Sequence, residues 1–541
     1  MAMPDPHDTR SVIRWFEQQR ERGLLARRRD LLRAAAGLAL GAFAAPALAQ
    51  APAPRIRFVA DPFTLGVASG YPRPDRVALW TRLAPAPLEA DGGMQPENVD
   101  VGWEVAADEA FTDVVAKGRQ RAVPELAHSV HVEASGLAPG RDYWYRFNAG
   151  AAVSPVGRTR TAPAVDADSA RLRFAIGSCQ NYEHGWFDAY RHVAAENLDL
   201  FVFLGDYIYE GGWGNDLVRR HVGTTLTSLS DYRRRHSQYA SDPALQIARR
   251  AMPWVLTWDD HEVENDYAGD QSEHRDPAFL LRRANAYQAW FEHLPMPLDV
   301  LGGGGRMRIH RSLDWGRLAR LYLLDDRQYR SPQACPDPYK RGGSTEASVQ
   351  ACAELADPAR TLLGAEQERW LDEAFASSRR RWNLIGQQTL LTAFPTPQPD
   401  GPPTVWTDGW DGYPAARQRL LDALRRHRVA NPVVLGGDLH TTIVGDVLAD
   451  GTRGAVVAAE FCGTSINAQA WPQDSYASRW ETNRHIDHVN ARQRGYLSFD
   501  LTPARLEVRE RVLASEKTPR SDIADGLTWI VEDGRPGVRR A

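Results

Sequence analysis

The chain is 541 residues long, with 43% hydrophobic and 25% charged residues. That globular composition excludes a disordered, collagenous or coiled-coil architecture. Its 65 basic and 69 acidic residues give a formal charge of -4, so it lacks the strongly basic field of a dedicated nucleic-acid binder. No apolar run reaches the ~18–20 residues that a membrane span needs.

Residues 1–26 read as polar. They are followed by Arg27-Arg28-Arg29-Asp30-Leu31-Leu32-Arg33, an Ala/Leu/Gly-rich stretch over 34–45, and Ala47-Leu48-Ala49, small residues of the kind a signal peptidase requires. The pattern predicts a twin-arginine (Tat) export signal over residues 1–49 and a periplasmic or secreted destination. The Tat machinery moves folded proteins, so a metal could be loaded before transport. Of the four cysteines, Cys335 and Cys352 lie in a Pro/Gly-rich region and could be joined in an exported chain. Cys462 reads as a small buried residue.

Residues 55–162 read as short strands between turns. Val77-Ala78-Leu79-Trp80-Thr81-Arg82-Leu83 and Tyr143-Trp144-Tyr145-Arg146-Phe147 have the period-2 alternation of half-buried strands. The expectation is an all-β sandwich resembling fibronectin type III or immunoglobulin-like domains, with no chemistry of its own. A polar linker follows.

From residue 171 to 541, apolar strands alternate with helical stretches, and several strands end in residues that ligate metals. These ends are Gly177-Ser178-Cys179, Gly205-Asp206-Tyr207-Ile208-Tyr209, Asp259-Asp260-His261-Glu262 and Gly437-Asp438-Leu439-His440. Ligands of α/β sheets gather outside the carboxyl ends of strands, so the four ends could converge on one site. A carboxylate at Asp206 can bridge two cations. The Tyr209 phenol ligates only as a phenolate, against a strong Lewis acid such as ferric iron. A Cys179 thiolate prefers a transition metal. His440 follows an apolar strand and Asp438, and Glu460 is a further oxygen donor at the end of an apolar run.

The order Gly-Ser-Cys, Gly-Asp-x-x-Tyr, Asp-His-Glu, Gly-Asp-x-His resembles a variant of the calcineurin-like metallophosphoesterase pattern, and specifically the alkaline phosphatase D (PhoD) family. Asp326-Arg327-Gln328-Tyr329-Arg330 and Trp410-Asp411-Gly412-Tyr413-Pro414 extend the likeness over essentially the whole chain after the leader. The resemblance implies a four-layer α/β metallophosphoesterase-type catalytic domain behind the β-sandwich. It implies one ferric ion, with Cys179, Asp206, Tyr209 and His440 as candidate ligands. It also implies two calcium ions, with Asp260, Asn265, Asp438 and Glu460 as candidates and Asp206 bridging. Relative to the superfamily pattern, Cys179 and Asn181 stand where Asp and His would be, and Asp438 replaces a His. Oxygen donors in place of imidazoles suit hard cations.

The implied activity is hydrolysis of phosphate esters, monoesters and in some pockets diesters, by a metal-generated oxide or hydroxide nucleophile. His261 and Arg327 are candidates to hold phosphate oxygens or assist the leaving group. Two alternatives stay open: a phosphodiesterase or phospholipase-D-type hydrolase on the same scaffold, and a non-catalytic surface adhesin built on the β-sandwich. Oligomeric state is not legible.

Overall fold

The computed structural model describes residues 8–32, 58, 60–302, 306–339 and 342–541. The apolar stretch over 34–45 and the Ala47-Leu48-Ala49 cleavage motif lie outside the described residues. Among the described residues, no helix is long and apolar enough to cross a membrane.

Strands Leu172–Gly177, Leu200–Phe203 and Trp254–Leu256 are short apolar runs, the signature of parallel strands covered on both faces. They pair in parallel, with Phe201 opposite both Ala175 and Trp254. Gly495–Leu501 adds antiparallel to the outer side of Leu172–Gly177 and carries three further antiparallel strands. A second, seven-stranded sheet has Ala319–Leu323, Trp382–Gly386, Pro432–Gly436 and Arg453–Cys462 as its parallel centre.

The two sheets face each other. Ile176, Val202, Leu497 and Phe499 share one core with Leu321, Leu323, Leu384, Val433 and Phe461. The intervening residues Tyr322, Ile385 and Val434 point the other way, onto Leu371, Phe375, Leu420 and Leu424 of helices Gly364–Ser377 and Pro414–Arg426. Helices Ala189–Ala195 and Pro243–Ala251 cover the outer face of the first sheet, where the Tyr190 ring meets Phe201 and Trp254. The result is helix, sheet, sheet, helix: the four layers the resemblance implies.

The N-terminal domain is the expected pair of packed β layers. Val101, Val105, Tyr145 and Phe147 lie against Val77, Leu79, Val130 and Val132. Its second layer does not stand apart, however. Val67–Gly70 pairs in parallel with Trp254–Leu256, so Val67–Gly70, Arg76–Arg82 and Ser129–Ser135 extend the catalytic sheet to ten strands. The Tyr71 hydroxyl locks that junction by donating to the Leu256 carbonyl at 2.6 Å. Cys335 and Cys352 are joined as a disulfide.

One segment departs from its sequence reading. Within the supposedly polar residues 1–26, Val12, Trp15 and Phe16 are buried on helix Thr9–Leu32. Their i, i+3, i+4 spacing makes one apolar stripe, flanked by Ile13, which docks a helix otherwise rich in charged residues. The stripe lies on helix Phe279–His293. The Trp15 indole N–H donates to Gly302 O at 2.7 Å, and the Phe16 ring stands 5.5 Å from that of Phe291. Phe291 in turn stacks on His131 of the N-terminal domain at 4.3 Å, so the helix sits where the two domains meet. Truncating both rings in Trp15→Ala/Phe16→Ala removes docking worth about 3 kcal/mol or more. Trypsin should then cut after Arg20 and Arg22 at least about tenfold faster than in the parent chain, with the rest of the body intact. Equal cleavage rates would contradict the docking.

Candidate metal centre

The parallel strands of both sheets run the same way into one face, so their carboxyl ends converge there. Glu262 staples two of these ends together. Its carboxylate accepts from the backbone N–H of Asp206 at 3.1 Å, Tyr207 at 2.5 Å and Asp259 at 2.8 Å. Gln388 crosses between the sheets by donating to Thr257 Oγ1 at 2.6 Å and Trp258 O at 2.8 Å. The approach is close enough to require glycine twice. A Cβ at Gly205, whose φ is +111°, would stand 2.6 Å from that of Asp259, and one at Gly437 would stand 2.6 Å from Ser178 Oγ.

Five candidate donors have left-handed backbone: Cys179 (φ 57°), Asp206 (58°), Asp266 (55°), Asp438 (67°) and His440 (52°). Non-glycine residues adopt this region at a cost and cluster at functional sites.

A ligand atom of Cys179, one of Asp206 and one of His440 lie within 4.8 Å of one another. The Tyr209 hydroxyl stands among them, 2.9 Å from Asp206 Oδ2 and 3.0 Å from His440 Nε2. His440 Nδ1 donates to the Gln469 carbonyl, which leaves the lone pair on Nε2 facing the cluster. Burial, reinforced by Asp206, pushes both the Cys179 thiol and the Tyr209 phenol well above their usual range. Either ionises only against a strong positive charge. Asp206 Oδ1 is buried with no hydrogen-bond partner, a cost that a cation would relieve. This donor set fits a transition metal.

Asp206 also belongs to a second group with Asp259, Asp260 and Asp438, and to a third with Asp260 and His261. Asp260 belongs to a fourth with Asp266 and Asp408. Burial raises the pKa of Asp259 and Asp438 well above the ordinary value. Arg327 opposes the rise, and neighbouring carboxylates add to it. Asp266 is pushed to about 7 by burial and then by Asp408 and Asp260. So many carboxyl groups in one pocket fit hard cations bound through oxygen.

The predicted residues divide. Cys179, Asp206, Tyr209, Asp260, His261, Asp438 and His440 gather in this pocket. The His261 ring is held by Glu210, whose Oε2 lies 2.7 Å from Nδ1, and it packs 4.3 Å from the Tyr209 ring. Burial opposes a charge on His261, but Glu210, Asp260 and Asp206 outweigh it and hold the pKa well above the ordinary value. The Asn265 amide donates to Glu273 at 3.2 Å, and its backbone N–H to Glu210 at 2.8 Å.

Glu460 is turned elsewhere. Both its oxygens accept backbone N–H groups, from Leu391 at 2.7 Å and Thr392 at 2.6 Å, and it shares no donor cluster with the others among the described residues. Arg327 is wholly buried; its Nε and Nη2 face carboxylates, while Nη1 has no hydrogen-bond partner. It is ion-paired to Asp259, stands 2.8 Å from Asp408 and 3.7 Å from Asp260, and is not paired to Asp325 or Asp326. Paired in this way it supplies counter-charge to the carboxylates. Sequence reasoning missed Asp408 altogether. The signal available was its place two residues before the Trp410-Asp411-Gly412-Tyr413-Pro414 motif.

A model of the PhoD-like phosphatase family matches residues 174–509, and one of the N-terminal domain of PhoD-like phosphatases matches residues 48–163. The chain belongs to the PhoD-like phosphatase family. It is 43% identical over 499 residues to alkaline phosphatase D of Bacillus subtilis (strain 168), covering 89% of this chain and 83% of that relative. The solved structure of PhoD matches with a TM-score of 0.84 at 42% identity, over 90% of this chain and 93% of that one. Purple acid phosphatase PPD1 from yellow lupin seeds has a TM-score of 0.52 at 11% identity, over 87% and 74% of the two chains, a likeness of fold.

Arg327 is the counter-charge this centre supplies from within. Arg327→Met leaves Asp259 and Asp408 buried without it, a loss of about 3–5 kcal/mol. A urea-denaturation midpoint clearly below that of the parent chain is expected. An unchanged midpoint would show that the carboxylates do not depend on Arg327.

Proposed function

We propose that the chain is a metal-dependent phosphoric ester hydrolase of the alkaline phosphatase D type, releasing inorganic phosphate from phosphomonoesters. The observation that carries this reading is the shared position of Asp206, common to three donor clusters, with one oxygen left unpartnered in a buried pocket. One ferric ion held by Cys179, Asp206, Tyr209 and His440 fits the thiolate, phenolate and imidazole set. Two calcium ions held among Asp206, Asp259, Asp260, Asp266, Asp408 and Asp438 fit the oxygen-rich remainder.

When bound, these cations would supply the positive charge that gathers phosphoryl oxygens and activates water for attack at phosphorus. The chain's own residues do the rest. Glu262 and the left-handed turns hold the donors in register. Gln469 presents Nε2 of His440. Glu210 orients His261, which in this reading gives a proton to the departing ester oxygen. Arg327 keeps the carboxylates from repelling one another apart. Residues 1–49 serve in this reading as a Tat signal that sends the folded chain to the periplasm or the medium, ahead of a β-sandwich domain (55–162) and a catalytic domain (171–541).

Two measurements test the reading. Cys179→Ser should lose iron and, with it, at least about 100-fold in kcat on a phosphomonoester; an iron-replete, fully active variant would refute the ligand set. A calcium-selective chelator should inhibit reversibly, with activity restored by added calcium, whereas indifference to the chelator contradicts the hard-cation sites. Relative rates on mono- and diester substrates assign the preferred ester.

A further inference from the structure

At the mouth of the centre the chain holds a tryptophan that the chemistry above does not use. Trp213 follows Gly211 and Gly212 on the loop after the Asp206 strand end and is 40% exposed. Its indole stacks on the His440 ring, with centroids 5.9 Å apart and planes at 18°, and stands 6.3 Å from the Tyr209 ring. The His184 ring meets it edge-on at 4.3 Å.

A large exposed aromatic on a glycine-rich loop would ordinarily be loose, but this one is pinned. His184 Nε2 pairs with the Trp213 carbonyl at 2.8 Å. Two residues on, Asn215 N–H donates to Gln469 Oε1 at 3.1 Å, and the Gln469 amide donates back to the Asn215 carbonyl. Lys517 Nζ donates to Asp216 O at 2.8 Å. Gln469 is also the residue whose carbonyl orients His440, so the loop and the ligand candidate share one anchor. A tryptophan fixed in this way offers a flat apolar surface with little entropy left to lose on binding.

We propose that Trp213 is the leaving-group platform of the centre and that it favours aryl phosphates, in which a flat ring is joined to phosphorus through a single ester oxygen. The proposal rests on the phosphoesterase reading and adds the substrate class. The nearness of Trp213 to Tyr209 and His440 favours directly attached rings. Trp213 lies next to two candidate ligands, so a ring packed on its exposed part is within reach of an ester held at the centre only when the ring is joined to phosphorus by a short link. A leaving group without a flat ring gains little from an indole, whereas offset-stacked or edge-on aromatic pairs gain beyond simple burial. Leu439, His440 and His261 are partly exposed, so the centre is reachable from outside.

The test compares the full-length, metal-loaded parent chain with Trp213→Ala and Trp213→Phe, on phenyl phosphate and on glycerol 3-phosphate, with metal content measured for each protein. The ratio of KM for the aryl ester to KM for the alkyl ester should rise about 3- to 10-fold in Trp213→Ala, the range that an aromatic pair is worth. It should return most of the way in Trp213→Phe, at parental metal content. An unchanged ratio, or an equal loss on both esters accompanied by metal loss, would overturn the proposal and leave Trp213 as packing for His440. The parent chain's own rates judge the underlying reading separately. If it hydrolyses neither ester, the esterase assignment fails and takes this proposal with it.

Discussion

Carboxylates buried side by side in a low-dielectric pocket repel one another and give up hydration. Asp206, Asp259, Asp260, Asp266 and Asp408 are buried together, and Asp438 joins them from the rim. The protein supplies only part of the compensating charge, through Arg327 and its neighbour Arg330, which pairs with Asp408 at 3.1 Å. The rest of the centre answers this imbalance. A cation from outside would answer it, and the unpartnered oxygen of Asp206, with the thiol and phenol held beside it, is a candidate place for one.

The fold makes such crowding possible because seven parallel strands from two facing sheets end on one face. Each end contributes a short loop, and the loops are tied to one another by side chains that are not donors themselves: Glu262 across the first sheet and Gln388 between the sheets. The left-handed residues are the local cost of turning donors inward, and they persist because packing on every side leaves the loops no alternative. The N-terminal domain adds to this rigidity by continuing the catalytic sheet through Val67–Gly70, which places a β layer directly beside the strand that carries Asp259 and Asp260.

Much of this was legible in the chain itself. Apolar runs closed by Gly-Asp, Asp-His-Glu and Gly-Asp-x-His report strand ends with ligand chemistry, because the apolar run and the donor are adjacent in sequence. What was hidden depends on distant partners. The conformation of Glu460 is decided by the Leu391–Thr392 backbone, and that of Arg327 by Asp259 and Asp408, neither of which is near it in sequence. The pairing of Gly70 with Trp254 joins segments almost 200 residues apart, a separation that no local pattern encodes. Helix Thr9–Leu32 was hidden in the same way: a short apolar stripe among many charged residues does not mark a segment as structural until its distant partner, Phe291, is known.

Anomalous diffraction from crystals of the purified protein, collected on either side of the iron absorption edge, tests the central claim most directly. A peak appearing above the edge within bonding distance of Cys179 Sγ, Tyr209 Oη and His440 Nε2 is the predicted result. Density at those atoms explained by water alone, in crystals of active protein, would contradict it.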